Sequence, residues 1–135
     1  MTKFTKYAAP VGRIFISLIF LLSGLNKISA YEGTQGYMEA MGIPGGLLPF
    51  TIIFEVGFSL AVIVGWQTRF AALALAGFSF ITAFLFHADF GDQIQSIMFM
   101  KNIAISGGFL FLVAQGAGVW SVDSLLAGRA NLAGK

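Results

Sequence analysis

Cysteine is missing from this chain altogether, and histidine occurs once, at His87. Without thiols the chain forms no disulfide, holds no iron–sulfur cluster and carries no thiol redox centre of its own. A single histidine cannot supply both axial ligands of a bis-histidine haem. No zinc-type spacing, phosphate-binding glycine loop or nucleophile triad is present. Charge is scarce too. Charged residues make up 10% of the 135 residues, where a soluble domain carries about 25%. The net charge is +2 with no basic cluster, which argues against a nucleic-acid partner. Five methionines are expected to pack rather than bind metal, since Met98 and Met100 point to different helix faces.

In place of charge the chain has apolar residues, 57% of the total. A membrane-spanning helix needs roughly 20 of them in a row. Four segments meet this requirement, at about 10–28, 47–66, 70–87 and 97–115. The expected fold is all-α, a single integral membrane four-helix bundle with the lipid bilayer as its surroundings. Lys3, Lys6 and Arg13 before an apolar run, with Ile28-Ser29-Ala30 after it, imitate a cleavable leader. Three similar segments follow, so a first span is the expected reading. Pro10 suits the start of that helix, because its missing N–H would be unpaired there. Asp92 and Gln95 resemble a capping box opening the fourth span. Ser121 is the expected cap of a short helix in the tail.

The positive charges divide unevenly. Lys3, Lys6, Arg13, Arg69, Arg129 and Lys135 fall on one side, Lys27 and Lys101 on the other. Cytoplasmic loops carry the excess of Lys and Arg, so both termini are expected to be cytoplasmic. Trp66 and Trp120 then lie at the inner boundary. The 29–46 and 88–96 loops face outward. Thr34 is expected to cap a short interfacial helix in the first of these, carrying Tyr37, Met38 and Met41 and ended by Gly42 and Pro44.

Each span has one face suited to the bundle interior. Arg13, Ser17, Phe20, Gly24 and Lys27 share a stripe on the first. Thr51, Glu55 and Ser59 repeat every four residues on the second. Ala72, Ala76, Ala83 and His87 mark the third. Lys101, Gly108 and Gln115 repeat every seven on the fourth. By helical rise Lys101 lies roughly 6 Å, and Glu55 roughly 12 Å, inside the outer ends of their spans. An outward-facing polar cluster is therefore expected, made of Lys27, Glu55, His87 and Lys101 with Asn26 and Asn102 beside them. An acidic group at mid-helix costs about 2.5–3.5 kcal/mol on insertion scales unless it is paired. Lys101 is the expected partner of Glu55, and Arg13 the alternative. The competing reading is structural, with a buried pair that fixes helix register.

The ordered set Arg13, "SGLNK" (23–27), "MGIP" (41–44), Glu55, "GWQTRFAAL" (65–73), "FHADF" (86–90), "FMKN" (99–102), "SGG" (106–108) and "GVWSVD" (118–123) resembles the DoxX family of small bacterial membrane proteins. The resemblance implies a four-helix protein of the bacterial plasma membrane. It also implies a link to quinone chemistry, because the family name derives from a subunit of a thiosulfate:quinone oxidoreductase. Other members are described as partners in membrane oxidoreductase complexes, and many have no established activity. The family's motif positions map onto Arg13, Lys27, Glu55, Arg69, His87, Lys101 and Asn102.

The functional expectation is a membrane subunit of a quinone-linked oxidoreductase system. Glu55 and His87 would handle protons, and Lys101 would stabilise a quinone oxygen. Lys27, Asn26, Asn102 and Arg13 would complete the binding site. A small anion such as thiosulfate could meet Lys27 and Lys101 instead. Electrons would come from a redox protein partner. One alternative is a noncatalytic membrane scaffold that assembles partners or a homo-oligomer. A third reading, a small-solute transporter, needs oligomerisation, because four spans are few for alternating access.

Overall fold

The computed structural model describes residues 2–134; Lys135, counted above among the cations of one face, lies outside them. The first helix, α1, runs Lys3–Ser29 and starts well before the apolar pattern does. The Thr2 hydroxyl caps it by accepting from Thr5 N. Pro10 therefore sits inside the helix rather than at its start. Its missing N–H leaves one carbonyl unpaired in the polar first turns, where water can solvate it.

Helix α2 spans Tyr31–Ala40. Thr34 lies within it and donates to Ala30 O at 2.8 Å, so it does not cap the helix. Gly42, at φ +79°, turns the chain. A 3-10 turn at Gly45–Leu47 then leads into α3, Leu48–Val64. Helix α4 is Thr68–His87 and α5 is Gln93–Gln115. Asp92 caps α5 through Ile94 N and Gln95 N. The Gln95 side chain does not return to complete a capping box; it meets His87 instead. Helix α6, Val122–Ala133, is capped by Ser121 as the sequence suggests.

Among the described residues four helices are long and apolar enough to cross a membrane: α1, α3 with its 3-10 turn, α4 and α5. Phe15, Phe50, Ile53 and Phe111 are each at least 70% exposed on their outer faces. Such apolar side chains are at home against lipid and would be a liability in water.

Helix α1 lies along α3, α4 lies along α5, and α3 joins the two pairs, while α1 and α5 touch over a short length. Small and polar residues make these approaches possible. A β-carbon on Gly24 would fall 2.7 Å from Val56 Cγ2 and 3.3 Å from Glu55 Cβ, so α1 meets α3 almost backbone to side chain. Ser79 Oγ donates to Asn102 O and Ser106 Oγ to Ala76 O, both at 2.9 Å, clamping α4 to α5. Phe20, Val62, Leu75 and Phe109 centre the core. The Phe20 ring packs against Phe109 and Phe78.

The interior faces expected for the first three spans are the ones observed. Arg13, Ser17, Phe20 and Gly24 are buried on α1, Glu55 and Ser59 on α3, and Ala72, Ala76 and Ala83 on α4. The fourth differs. The buried residues of α5 are Ser106 and Phe109, while Lys101 and Gln115 are exposed.

Candidate functional site

At the α2 end of the bundle the helices enclose a cavity of about 430 Å³. Every span contributes to its lining, and α2 lies across its mouth. Met38 on α2 is buried, and the Tyr37 ring stacks on Phe86 of α4 at 5.6 Å between centroids. Gln35 ties α2 to the following turn by donating to Gly45 O at 3.2 Å.

The charged centre of the cavity is a pair from α1 and α3. Lys27 Nζ lies 2.9 Å from Glu55 Oε2 and 3.2 Å from Oε1. The approach to Oε2 is close but off the hydrogen-bond axis, so that oxygen is ion-paired without a directed hydrogen bond. Nζ also donates to Ser23 Oγ at 2.6 Å, and Ser23 Oγ donates to Oε1 at 3.4 Å. Glu55 is 3% exposed and Lys27 23%. A carboxylate this deep is tolerable because a cation and a hydroxyl stand against it. Ser23 and Lys27 are one helical turn apart, so they share a face.

His87 and Asn102 also line the cavity. His87 Nδ1 is 2.7 Å from Gln95 Oε1. With the amide oxygen accepting, Nδ1 carries the hydrogen and Nε2 is left able to take a proton.

Two expected members are elsewhere. Lys101 is exposed, does not line the cavity and makes no ion pair among the described residues. Its neighbour Asn102 points in. One residue along a helix is a turn of about 100°, enough to exchange lipid-facing for cavity-facing. Glu55 is therefore paired with Lys27 and not with Lys101. Asn26 is likewise exposed and off the cavity wall, one residue from Lys27.

Arg13 is buried at the opposite end, 2% exposed, and is not the partner of Glu55. The 14-residue separation of Arg13 and Lys27 amounts to roughly 21 Å of helix. Its Nη2 donates to Trp120 O. Gly65, at φ +74°, has no room for a side chain, because a β-carbon would collide with the Arg13 guanidinium. Asp123 completes this end. Its carboxylate accepts from Gln67 N at 2.8 Å and Thr68 N at 2.9 Å, and its own N–H donates to Gly65 O at 2.8 Å. Burial works to raise the Asp123 carboxyl, but hydrogen bonds from Thr68 and Gln67 and the charge of Arg13 outweigh it and hold it below its ordinary value. The "GWQTR" and "GVWSVD" segments are thus two halves of one joint.

Sequence reasoning missed several members of the cavity. Ser23 was legible as a residue one turn before Lys27. Thr51 lay on the interior stripe of its span but was not singled out. Thr34 was marked only as a helix cap and Thr82 carried no signal, because which hydroxyls line a cavity depends on how far the helices splay.

The family model described as DoxX matches residues 8–88. Inner membrane protein YqjF of Escherichia coli strain K12 is 49% identical over 126 residues, covering 93% of this chain and 97% of that protein. Inner membrane protein YphA of the same strain is 32% identical over 120 residues, 84% of this chain and 86% of that one. An uncharacterized protein of Haemophilus influenzae is 28% identical over 120 residues, covering 84% and 80%. No solved structure matches. With a family match over more than half its length and inner-membrane relatives spanning nearly all of it, the chain belongs to the DoxX family and is an integral protein of the bacterial inner membrane.

Proposed function

We propose that the α2-end cavity binds the head of a quinone and that the chain is a membrane subunit of a quinone-linked oxidoreductase system. The observation that carries this reading is the Lys27–Glu55–Ser23 cluster set in an otherwise apolar cavity. Amphiphilic ligands favour such sites, with greasy walls for bulk and a few polar groups for orientation. Ile19, Phe20, Phe78, Ile81 and Ile105 supply the walls. Ile19 and Ile81 are also more than half exposed, so the cavity is open on the flank where lipid lies.

The residues present fit a quinone. Its carbonyl oxygens need donors, and the Lys27 ammonium and the Asn102 amide offer them. A bound quinone supplies two-electron, two-proton redox chemistry. The residues of the chain hold and move the protons. Protonated at Nε2, His87 would give one to the reduced quinone while Gln95 fixes the ring through Nδ1. Glu55 can hold another, since Lys27 and Ser23 stabilise its ionised form and burial favours its neutral one. A redox partner protein delivers the electrons.

The test is binding of a short-tailed quinone analogue to detergent-purified protein, with native mass spectrometry and lipid extraction of the gently isolated chain. Affinity is expected to fall about tenfold or more in Lys27→Met and in His87→Ala, a loss of about 1.4 kcal/mol or more, and to hold in Lys101→Met. Equal affinity in all three folded variants removes the site. A quinone-free preparation that keeps a protein partner makes the chain a scaffold.

A further inference from the structure

The α6 end has a second cavity, of about 440 Å³, between the α3–α4 turn and the α5–α6 connection. We propose that it binds the headgroup of a zwitterionic phospholipid, with the phosphate on Arg69 and the ammonium facing Asp123. The proposal is independent of the quinone reading.

Arg69 and Asp123 line the same cavity, yet among the described residues no ion pair joins them. Opposite charges so placed would be expected to close on each other unless each is held back. Asp123 is held by the Gln67 and Thr68 N–H groups. Arg69 lies against the turn at Gly116, φ +77°, where a β-carbon would come within 3.4 Å of its Nε and Nη2. A cavity that keeps a cation and an anion apart suits a ligand carrying both.

Both groups have capacity to spare. The Asp123 carboxylate uses two acceptor positions on the backbone, and a carboxylate has about four. The Arg69 guanidinium is the group best shaped for two parallel hydrogen bonds to a phosphate. Thr68 lines the same cavity, and its hydroxyl stands beside the Asp123 carboxyl and helps to hold it ionised.

The location selects a lipid as the source. The cavity sits at the ends of the spans, where headgroups lie. Trp66 and Trp120 are exposed beside it, as interfacial aromatics are. Phe70 is both a lining residue and exposed toward the lipid, offering a surface for the first methylenes of an acyl chain.

The experiment uses the full chain, delipidated in detergent and offered phosphatidylethanolamine, phosphatidylcholine and phosphatidylglycerol in equal amounts, with bound lipid read by native mass spectrometry. Phosphatidylethanolamine, whose ammonium can donate to Asp123, is expected to be retained at least fivefold over phosphatidylglycerol, which has no ammonium. Phosphatidylcholine, with no N–H, should fall between them. Arg69→Gln should lower phosphatidylethanolamine retention at least fivefold, and Asp123→Asn should remove the preference over phosphatidylglycerol, while Arg129→Gln, a cation on the exposed face of α6, should keep both. Thermal unfolding confirms that the variants fold. Equal retention of phosphatidylglycerol by the parent, unchanged retention in folded Arg69→Gln, or an unchanged preference in folded Asp123→Asn overturns the proposal. Displacement of the lipid by an equal concentration of inorganic phosphate or of soluble phosphoethanolamine overturns the lipid assignment, because the site would then take a free solute.

Discussion

Lys27 and Glu55 are ion-paired across the α1–α3 interface, with Nζ 2.9 Å from Oε2. The two ends of the pair are not equally dependent on each other. Glu55 is nearly inaccessible, whereas Lys27 keeps a path to the polar mouth of the cavity. Lys27→Met strands a buried carboxylate and should cost about 3–5 kcal/mol if the charge is retained. Glu55→Leu should cost less, since the lysine can swing toward the mouth. The double variant should recover most of the larger loss. A double-mutant cycle on unfolding in detergent measures this coupling, and additive losses would show that the pair contributes nothing.

Lys101 gives the matching negative result. It is exposed and makes no ion pair among the described residues. Lys101→Met should therefore leave stability within about 0.5 kcal/mol of the parent or raise it, with no coupling to Glu55. A loss as large as that of Lys27→Met would reassign the partner.

Gly24→Leu should separate α1 from α3. The new side chain would meet Val56 and Glu55 at the closest point of the interface. Overpacking of this kind costs about 1–3 kcal/mol, and here it should also weaken quinone-analogue binding by displacing Glu55. Gly33→Leu on α2, where there is open space, is the control and should leave both unchanged.

The joint at the other end should be acid-sensitive. The Asp123 carboxyl is held below its ordinary value of 3.8. A group depressed in this way contributes stability that is present above the ordinary value and lost as pH falls through the depressed one. Docking of α6 onto the α3–α4 turn should hold at neutral pH and loosen below about pH 4. Amide exchange at Gln67 and Thr68 reports it directly. Asp123→Asn should remove the pH dependence, and persistence of the same transition in that variant would move its origin elsewhere.

Orientation is expected to place both termini in the cytoplasm, on the bias of Lys3, Lys6, Arg13, Arg69 and Arg129 toward one face. Reporter fusions at Thr34 and Gln93 should read external, and those near Gln67 and the C-terminus cytoplasmic. A cytoplasmic signal at Gln93 would invert the arrangement and place the Lys27–Glu55 cavity on the inner side.

Four spans, the polar stripes of the first three and the gathering of Lys27, Glu55, His87 and Asn102 at one end were legible in the order of residues alone. The physical reason is local. Span length follows from bilayer thickness, and a polar residue in an apolar helix marks the side that avoids lipid. Arg13, Ser17 and Gly24 on α1, and Glu55 and Ser59 on α3, are unambiguous markers of this kind. Helix α5 has no such asymmetry: it is apolar on every side, with Lys101 and Asn102 adjacent and 100° apart, so periodicity could not say which of them faces inward. Only the tertiary structure decides that rotation, because it is set by the contacts of Ser106 and Phe109 with α4 and the core. The same holds for Asp123. Its sequence neighbours show a short capped helix, but its bond to the α3–α4 turn joins segments more than 50 residues apart. No local pattern encodes it; it exists only once α3, α4 and α5 have brought the two loops to one end of the bundle.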